Sequence, residues 1–285
     1  MQSPRRCPKL RVLIIGQHNS FEHVLTTNIQ NWGYEAIVLP SSALSGSEAE
    51  GDILLFDLDE ASRIAMGMGN ERTRVRVPVK ENVAPLSLVG NSIKKYEQRW
   101  PHVRLKIALS SHSVSRSTLE QIGAVALLQT PFEMGRLQRY LQVLQRLLLE
   151  REAIKPLNEK LRILVVDDDV AIASAVEQCL IFESNYEVAV AHDGLEALEQ
   201  CLDWKPHCIV TDLIMPWMNG YQVMRCLNAA SLHARPAFVI MSALTQLEVP
   251  WNRSYMRGNQ VAYVDKPFNI DHLLSAIEQV CLNRA

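Results

Sequence analysis

Residues 161–169 read Leu161-Arg162-Ile163-Leu164-Val165-Val166-Asp167-Asp168-Asp169, a short β-branched run that ends in three aspartates. Residues 10–15, Leu10-Arg11-Val12-Leu13-Ile14-Ile15, are nearly the same run. Each is followed by a helix-like segment and a second strand, Tyr34-Glu35-Ala36-Ile37-Val38 in the first half and Tyr186-Glu187-Val188-Ala189-Val190 in the second. A third apolar run ends in Asp57 in one half and Asp212 in the other, and later come Thr130-Pro131-Phe132 and Lys266-Pro267-Phe268. A repeat with a period of about 150 residues means duplicated domains rather than a solenoid.

Within each half, short apolar strands alternate with amphipathic helical patterns, the signature of βαβ units around a parallel sheet. In the second half strands are expected at about 162–166, 187–191, 207–211, 237–241 and 261–264. Helices are expected at about 170–182, 194–203, 220–229, 246–257 and 269–282, the last carrying Ile270, Leu273, Leu274, Ile277 and Val280 at helical spacing. The fold class this predicts is α/β, two doubly wound five-stranded parallel-sheet domains in tandem, flavodoxin-like in type. Residues 1–132 form the first domain, 133–159 a long helix and linker, and 160–285 the second domain. In the helix, Leu137, Leu141, Leu144 and Leu148 make one stripe, with Tyr140, Val143 and Leu147 beside it. Glu150-Arg151-Glu152 and Pro156 mark the linker.

Composition adds bounds. The chain has 285 residues, 48% hydrophobic and 21% charged, with a formal net charge of -2. Nothing in that balance points to nucleic acid or an anionic membrane. No apolar run reaches the ~18 residues that span a bilayer, and Val12 to Ile15 is too short for a signal-peptide core, so a cytoplasmic location is expected. Cys7, Cys179, Cys201, Cys208, Cys226 and Cys281 show no zinc-type spacing and are expected as reduced, buried thiols.

The carboxylates carry the chemistry. Asp167 and Asp168 stand just past the first strand of the second domain and Asp212 at the end of its third, and these ends are neighbours in a doubly wound sheet. Like charges that close repel, and either raise a pKa or recruit a cation. Hard oxygen ligands suit Mg²⁺, which keeps waters and accepts phosphate oxygens. A carboxylate beside such an ion can take a phosphoryl group. Lys266 would supply a fixed positive charge and Ser242 a hydroxyl donor. For any one strand-end aspartate the plainer reading is a helix N-cap.

The motifs Val165-Val166-Asp167-Asp168-Asp169, Thr211-Asp212-Leu213-Ile214-Met215-Pro216-Trp217-Met218-Asn219-Gly220, Met241-Ser242-Ala243 and Tyr263-Val264-Asp265-Lys266-Pro267-Phe268 resemble the response-regulator receiver family of two-component signalling. The resemblance covers the second half and implies a role for each matching position. Asp212 would be the phosphoacceptor. Asp167, Asp168, Asp212 and the backbone carbonyl of Ile214 would hold Mg²⁺. Ser242 and Tyr263 would be the switch pair, Lys266 the phosphate-binding lysine, and Lys266-Pro267 a cis bond. A phosphoacceptor signalling module, not an enzyme, is the implied class.

The implied partners are a histidine kinase or histidine phosphotransfer protein as donor and a downstream protein target. No nucleic acid and no membrane contact are expected, and a homodimer is left open. The chain fits either the receiver portion of a hybrid histidine kinase, which the short leader before Leu10 favours, or a stand-alone tandem regulator. A haloacid-type phosphatase needs a second acid two residues past the nucleophile, where Ile214 stands. A scaffold that never takes phosphate is the remaining alternative, against which Asp167, Asp168, Asp212 and Lys266 argue.

The first half keeps the pattern and loses the chemistry. Gly16 and Gln17 stand in place of Asp167 and Asp168, and Thr130 in place of Lys266, while Asp57 and Ser110 remain. It reads as a pseudo-receiver in which Asp57 is a structural carboxylate. The long stretch between Asp57 and Ser110 contains Arg72, Arg74, Arg76 and Lys80 alternating with Thr73, Val75, Val77 and Val79. That pattern fits an edge ribbon with a basic face or a solvated loop.

Overall fold

The computed structural model describes residues 10–16, 20–40, 51–59, 103, 105–112, 114, 118–119, 122–149, 160–230, 235–243 and 260–282. The basic run 71–80, Gln17, Cys7, the linker around Pro156 and the helix expected at 246–257 lie outside them.

Two compact units are present, Met1–Arg139 and Tyr140–Ala285, and the division falls inside one helix. In the first unit, β1 (Arg11–Gly16), β2 (Glu35–Pro40), β3 (Ile53–Asp57), β4 (Leu105–Ser110) and β5 (Ala126–Gln129) form a sheet in the order β2-β1-β3-β4-β5. All four pairings are parallel. Helix α1 (Ser20–Asn31) connects β1 to β2, and α2 (Met134–Leu149) follows β5. Along α2 the buried positions are Leu137, Tyr140, Leu141, Val143, Leu144 and Leu147. Leu148, expected on that stripe, is only half-buried.

The second unit repeats the plan. Its strands are β6 (Arg162–Val166), β7 (Glu187–Ala191), β8 (Cys208–Asp212), β9 (Ala237–Ser242) and β10 (Val261–Asp265), in the order β10-β9-β8-β6-β7. Helices α3 (Val170–Glu183), α4 (Gly194–Asp203), α5 (Gly220–Ala229) and α6 (Ile270–Leu282) follow β6, β7, β8 and β10. Counted within each unit the order is 2-1-3-4-5, the flavodoxin-like doubly wound arrangement anticipated from the sequence. The inner strands β6 and β9 are buried at every residue. They therefore read as continuous apolar runs instead of alternating ones, as a parallel sheet covered on both faces requires.

Local chemistry sets the helix starts. The Asp169 carboxylate accepts from the backbone of Ala171 (2.9 Å) and Ile172 (3.3 Å), capping α3. Asp193 caps α4 through Glu196 N–H. Asn219 and Gln222 bond reciprocally in a capping box at the start of α5. Each such cap satisfies donors the first helical turn leaves open and contributes about 1 kcal/mol. Gly194 and Gly220 sit where backbone crowds them. A Cβ at Gly194 would stand 2.5 Å from the carbonyl oxygen of Met218, and one at Gly220 2.8 Å from that of Asp212.

The five described cysteines are free thiols, with Cys208, Cys226 and Cys281 buried. Cys179 departs from the expectation and is exposed, because it lies on the solvent side of α3 with Ile172, Ala175 and Phe182. Burial pushes the Cys226 thiol up to about 12, against a smaller opposing pull from Arg225. No described helix is long and apolar enough to cross a membrane.

Candidate functional site

The carboxyl ends of β6, β8 and β10 bring four charged side chains together. β6 pairs directly with β8, matching Val166 to Thr211, so the residues that follow each strand emerge side by side. Asp167 is 1% exposed. Its Oδ1 accepts from Asp169 N–H (3.0 Å) and its Oδ2 from Lys266 Nζ (2.8 Å). The last residue of β8, Asp212, directs Oδ1 to its own loop, accepting from the backbone of Leu213 and of Ile214 (3.2 Å), and Oδ2 to Lys266 Nζ (3.0 Å). Asp168 is exposed at the rim. Asp167, Asp168 and Asp212 each offer a carboxylate oxygen within 4.8 Å of the others.

Lys266 is the bridge. Burial pulls its pKa down, but the hydrogen bonds and charges of Asp167 and Asp212 outweigh that and raise it above 10.5. Its position is fixed through its backbone N–H, which donates to Ser242 O (2.7 Å). One ammonium pairs with Asp167 and Asp212 while Asp168 stands beside them, so the crevice keeps an excess of negative charge that a divalent cation with oxygen preference would neutralise. The donor set fits Mg²⁺ in number and in hardness.

Ser242 closes β9 and is 4% exposed. Tyr263 lies on β10 opposite Ile240 and lines an open cleft with His272, Ser275 and Gln279. The Lys266–Pro267 bond is cis, as the family pattern implied, and so is Thr130–Pro131. Ile214 and Trp217, in the loop after Asp212, are 56% and 42% exposed. Trp217 has a left-handed backbone, φ 66°, a conformation no local sequence signal announced. The third aspartate of the triplet, Asp169, belongs to the α3 cap and not to the three-carboxylate cluster.

In the first unit the same strand ends hold a different arrangement. Asp57 ends β3, and its Oδ1 accepts from the backbone of Asp59 (2.8 Å). Ser110 ends β4, 2% exposed, and its hydroxyl donates to Asp59 Oδ1 (3.0 Å). Thr130 N–H donates to Ser110 O (2.8 Å), the counterpart of the Lys266–Ser242 backbone bond. Among the described residues, the three-carboxylate group is confined to the second unit. Asp59 stands two residues past Asp57, the spacing weighed at Ile214 in the second half, but its partners on β4 are far along the chain and no local signal points to them.

This fold and site have known relatives. Residues 163–278 match the model of the response regulator receiver domain. The response regulator MprA of Mycobacterium ulcerans (strain Agy99) is 33% identical over 114 residues, 40% of this chain and 47% of that protein. MprA of Mycobacterium avium (strain 104) is 32% identical over 115 residues, 40% of this chain and 48% of that protein. The chain thus spans about half the length of these curated relatives. The signal receiver domain of a response regulator from Bermanella marisrubri is 31% identical, covering 43% of this chain and 98% of that one, with a TM-score of 0.38. The second unit is a response regulator receiver domain, a module of two-component signalling.

Proposed function

We propose that the second unit accepts a phosphoryl group on Asp212, with Mg²⁺ held by Asp167, Asp168, Asp212 and the carbonyl of Ile214. The observation that carries this reading is Lys266 Nζ bridging Asp167 Oδ2 and Asp212 Oδ2 beside a third carboxylate. Asp212 Oδ2 attacks the phosphorus of a phosphohistidine; its O–P bond forms as the donor's P–N bond breaks, and the imidazole leaves with the electron pair. Bound Mg²⁺ would offset charge on the transferred group. The Lys266 ammonium, anchored by its backbone bond to Ser242, leaves its carboxylate partners to meet the incoming phosphoryl oxygens. The Ser242 hydroxyl then donates to the same group, and Ser242 with Tyr263 alters the surface a downstream protein reads.

The donor is a phosphohistidine on a histidine kinase or phosphotransfer protein. Exposed apolar side chains follow each acidic segment: Val170 and Ile172 after Asp167–Asp169, Ile214 and Trp217 after Asp212. An apolar rim around a charged crevice supports docking of a protein donor. The first unit acts as a pseudo-receiver, with Asp57 structural. The chain works in the cytoplasm, as a tandem regulator or as the receiver portion of a hybrid histidine kinase.

Incubation with acetyl phosphate and Mg²⁺, followed by intact mass, tests this reading. A gain of about 80 Da, one HPO₃, is expected. Asp212→Ala should abolish it and Asp57→Ala should leave it. Persistent labelling of the Asp212 variant would overturn the assignment.

A further inference from the structure

The two units differ most sharply at one pair of equivalent positions. Two residues past the strand-end aspartate, the second unit has Ile214, exposed and apolar, while the first has Asp59. The Asp59 carboxylate crosses from β3 to the end of β4 and accepts from three donors there, while His112 N–H donates to Ser110 Oγ (3.1 Å). Its Oδ1 accepts from Ser110 Oγ (3.0 Å), and its Oδ2 from Ser111 N–H (2.7 Å) and Ser111 Oγ (2.6 Å). His112 Nδ1 lies 3.5 Å from Oδ1 and 2.8 Å from Ser111 Oγ. Ser110 corresponds to Ser242, as their matching backbone bonds to Thr130 and Lys266 show.

We propose that Asp59 is a built-in anion that takes the place of a phosphoryl group in the first unit, holding the end of β4 in one state without phosphorylation. A carboxylate presents two oxygens with about four lone-pair sites, enough to accept from two hydroxyls and an amide at once. Those donors are the kind a phosphoryl group would engage: a hydroxyl at the strand end and the backbone N–H just after it. Covalently tethered, the carboxylate is always present, so the state of β4 depends on no donor and no cation. The first unit is then a permanently set module beside a switchable one. The comparison with Ser242 rests on the function proposed for the second unit, but the latch itself is read on the first unit alone.

Hydrogen exchange on the full chain, resolved at the amides of 108–113, tests it. In Asp59→Ala the Ser111 amide should exchange at least tenfold faster, and added formate or inorganic phosphate should restore part of its protection by refilling the vacated anion place. Asp59→Asn, which keeps the shape and one acceptor oxygen, should fall between Asp59→Ala and the parent, and it stands in if the alanine variant does not fold. In an Asp212→Ala background, Mg²⁺ with beryllofluoride, a phosphoryl mimic, should leave residues 108–113 unchanged. Unaltered exchange at Ser111 in both Asp59 variants, or a beryllofluoride response at 108–113 in the Asp212→Ala protein, would overturn the latch. Loss of phosphoryl labelling at Asp212 would leave these readings unaffected, so failure of the two proposals can be told apart.

Discussion

Lys266 Nζ stands 3.0 Å from Asp212 Oδ2 and 2.8 Å from Asp167 Oδ2, joining the ends of three strands through one ammonium. Lys266→Ala removes the cation and leaves two carboxylates facing each other. The second unit should lose roughly 1–2 kcal/mol at neutral pH, the cost of charged hydrogen bonds left unmade, and phosphoryl labelling should fall. Because the folded pKa of Lys266 is raised above 10.5, its contribution is full below that value and disappears as pH climbs through the folded pKa. Urea unfolding of parent and variant should therefore converge in strong alkali; a gap that persists there would show that the ammonium is not its source.

Mg²⁺ should stabilise the second unit by relieving repulsion among Asp167, Asp168 and Asp212. The melting temperature should rise in millimolar Mg²⁺, and the fluorescence of Trp217, in the loop after Asp212, should change with it. Asp168→Ala should weaken both responses. A melting temperature indifferent to Mg²⁺ in the parent counts against the site.

Ile214 sits beside Asp212, the proposed acceptor, with its backbone N–H bonded to Asp212 Oδ1 (3.2 Å). Its side chain cannot orient an attacking water, and positioning is the main protein contribution to that hydrolysis. The phosphorylated state should be long-lived, and Ile214→Asn should shorten it severalfold. The check is the decay of the phosphorylated mass after acetyl phosphate is removed. An asparagine variant that decays no faster removes the argument.

Gly194→Ala should destabilise the second unit by about 1–3 kcal/mol, the usual cost of overpacking. The new methyl would meet the Met218 carbonyl at 2.5 Å, and backbone cannot swing aside as a long side chain can. Urea midpoints measured on the full chain decide it.

Asp59 should make the first unit acid-sensitive. Burial pulls its pKa up, but hydrogen bonds from the Ser111 side chain and backbone, from Ser110 and from His112 outweigh that and hold it below 3.8. A depressed carboxylate contributes stability that is present above its unfolded pKa and lost as pH falls through the folded one. Among the described residues, Asp57, whose Oδ1 takes the Asp59 amide, and His112 are titratable neighbours in direct contact. Protection of the Ser111 amide should hold at pH 5 and fall on acidification below about 3.8 in the parent, with no comparable step in Asp59→Asn.

The duplication, the alternation of strands and helices and most element bounds were legible in the chain, because they rest on local signals, whereas the strand order came from the structure. An apolar run of five residues ending in an acid reads the same in isolation as in the sheet, and helical spacing is set by neighbours three and four residues away. Even so, β8 runs one residue further than expected and takes in Asp212 itself. The family resemblance set Asp167 and Asp168 apart from Asp169, but only the tertiary structure gave the physical separation of these three adjacent and identical carboxylates. Asp169 turns to the α3 amides, Asp167 is buried against Lys266, and Asp168 stays at the rim. Likewise, only the approach of β3 and β4 gave Asp59 its donors on Ser110 and Ser111. An ionised side chain goes to the donors within its reach, and for these residues the donors are placed by strand register and crossover, contacts that join positions as far apart as Asp167 and Lys266.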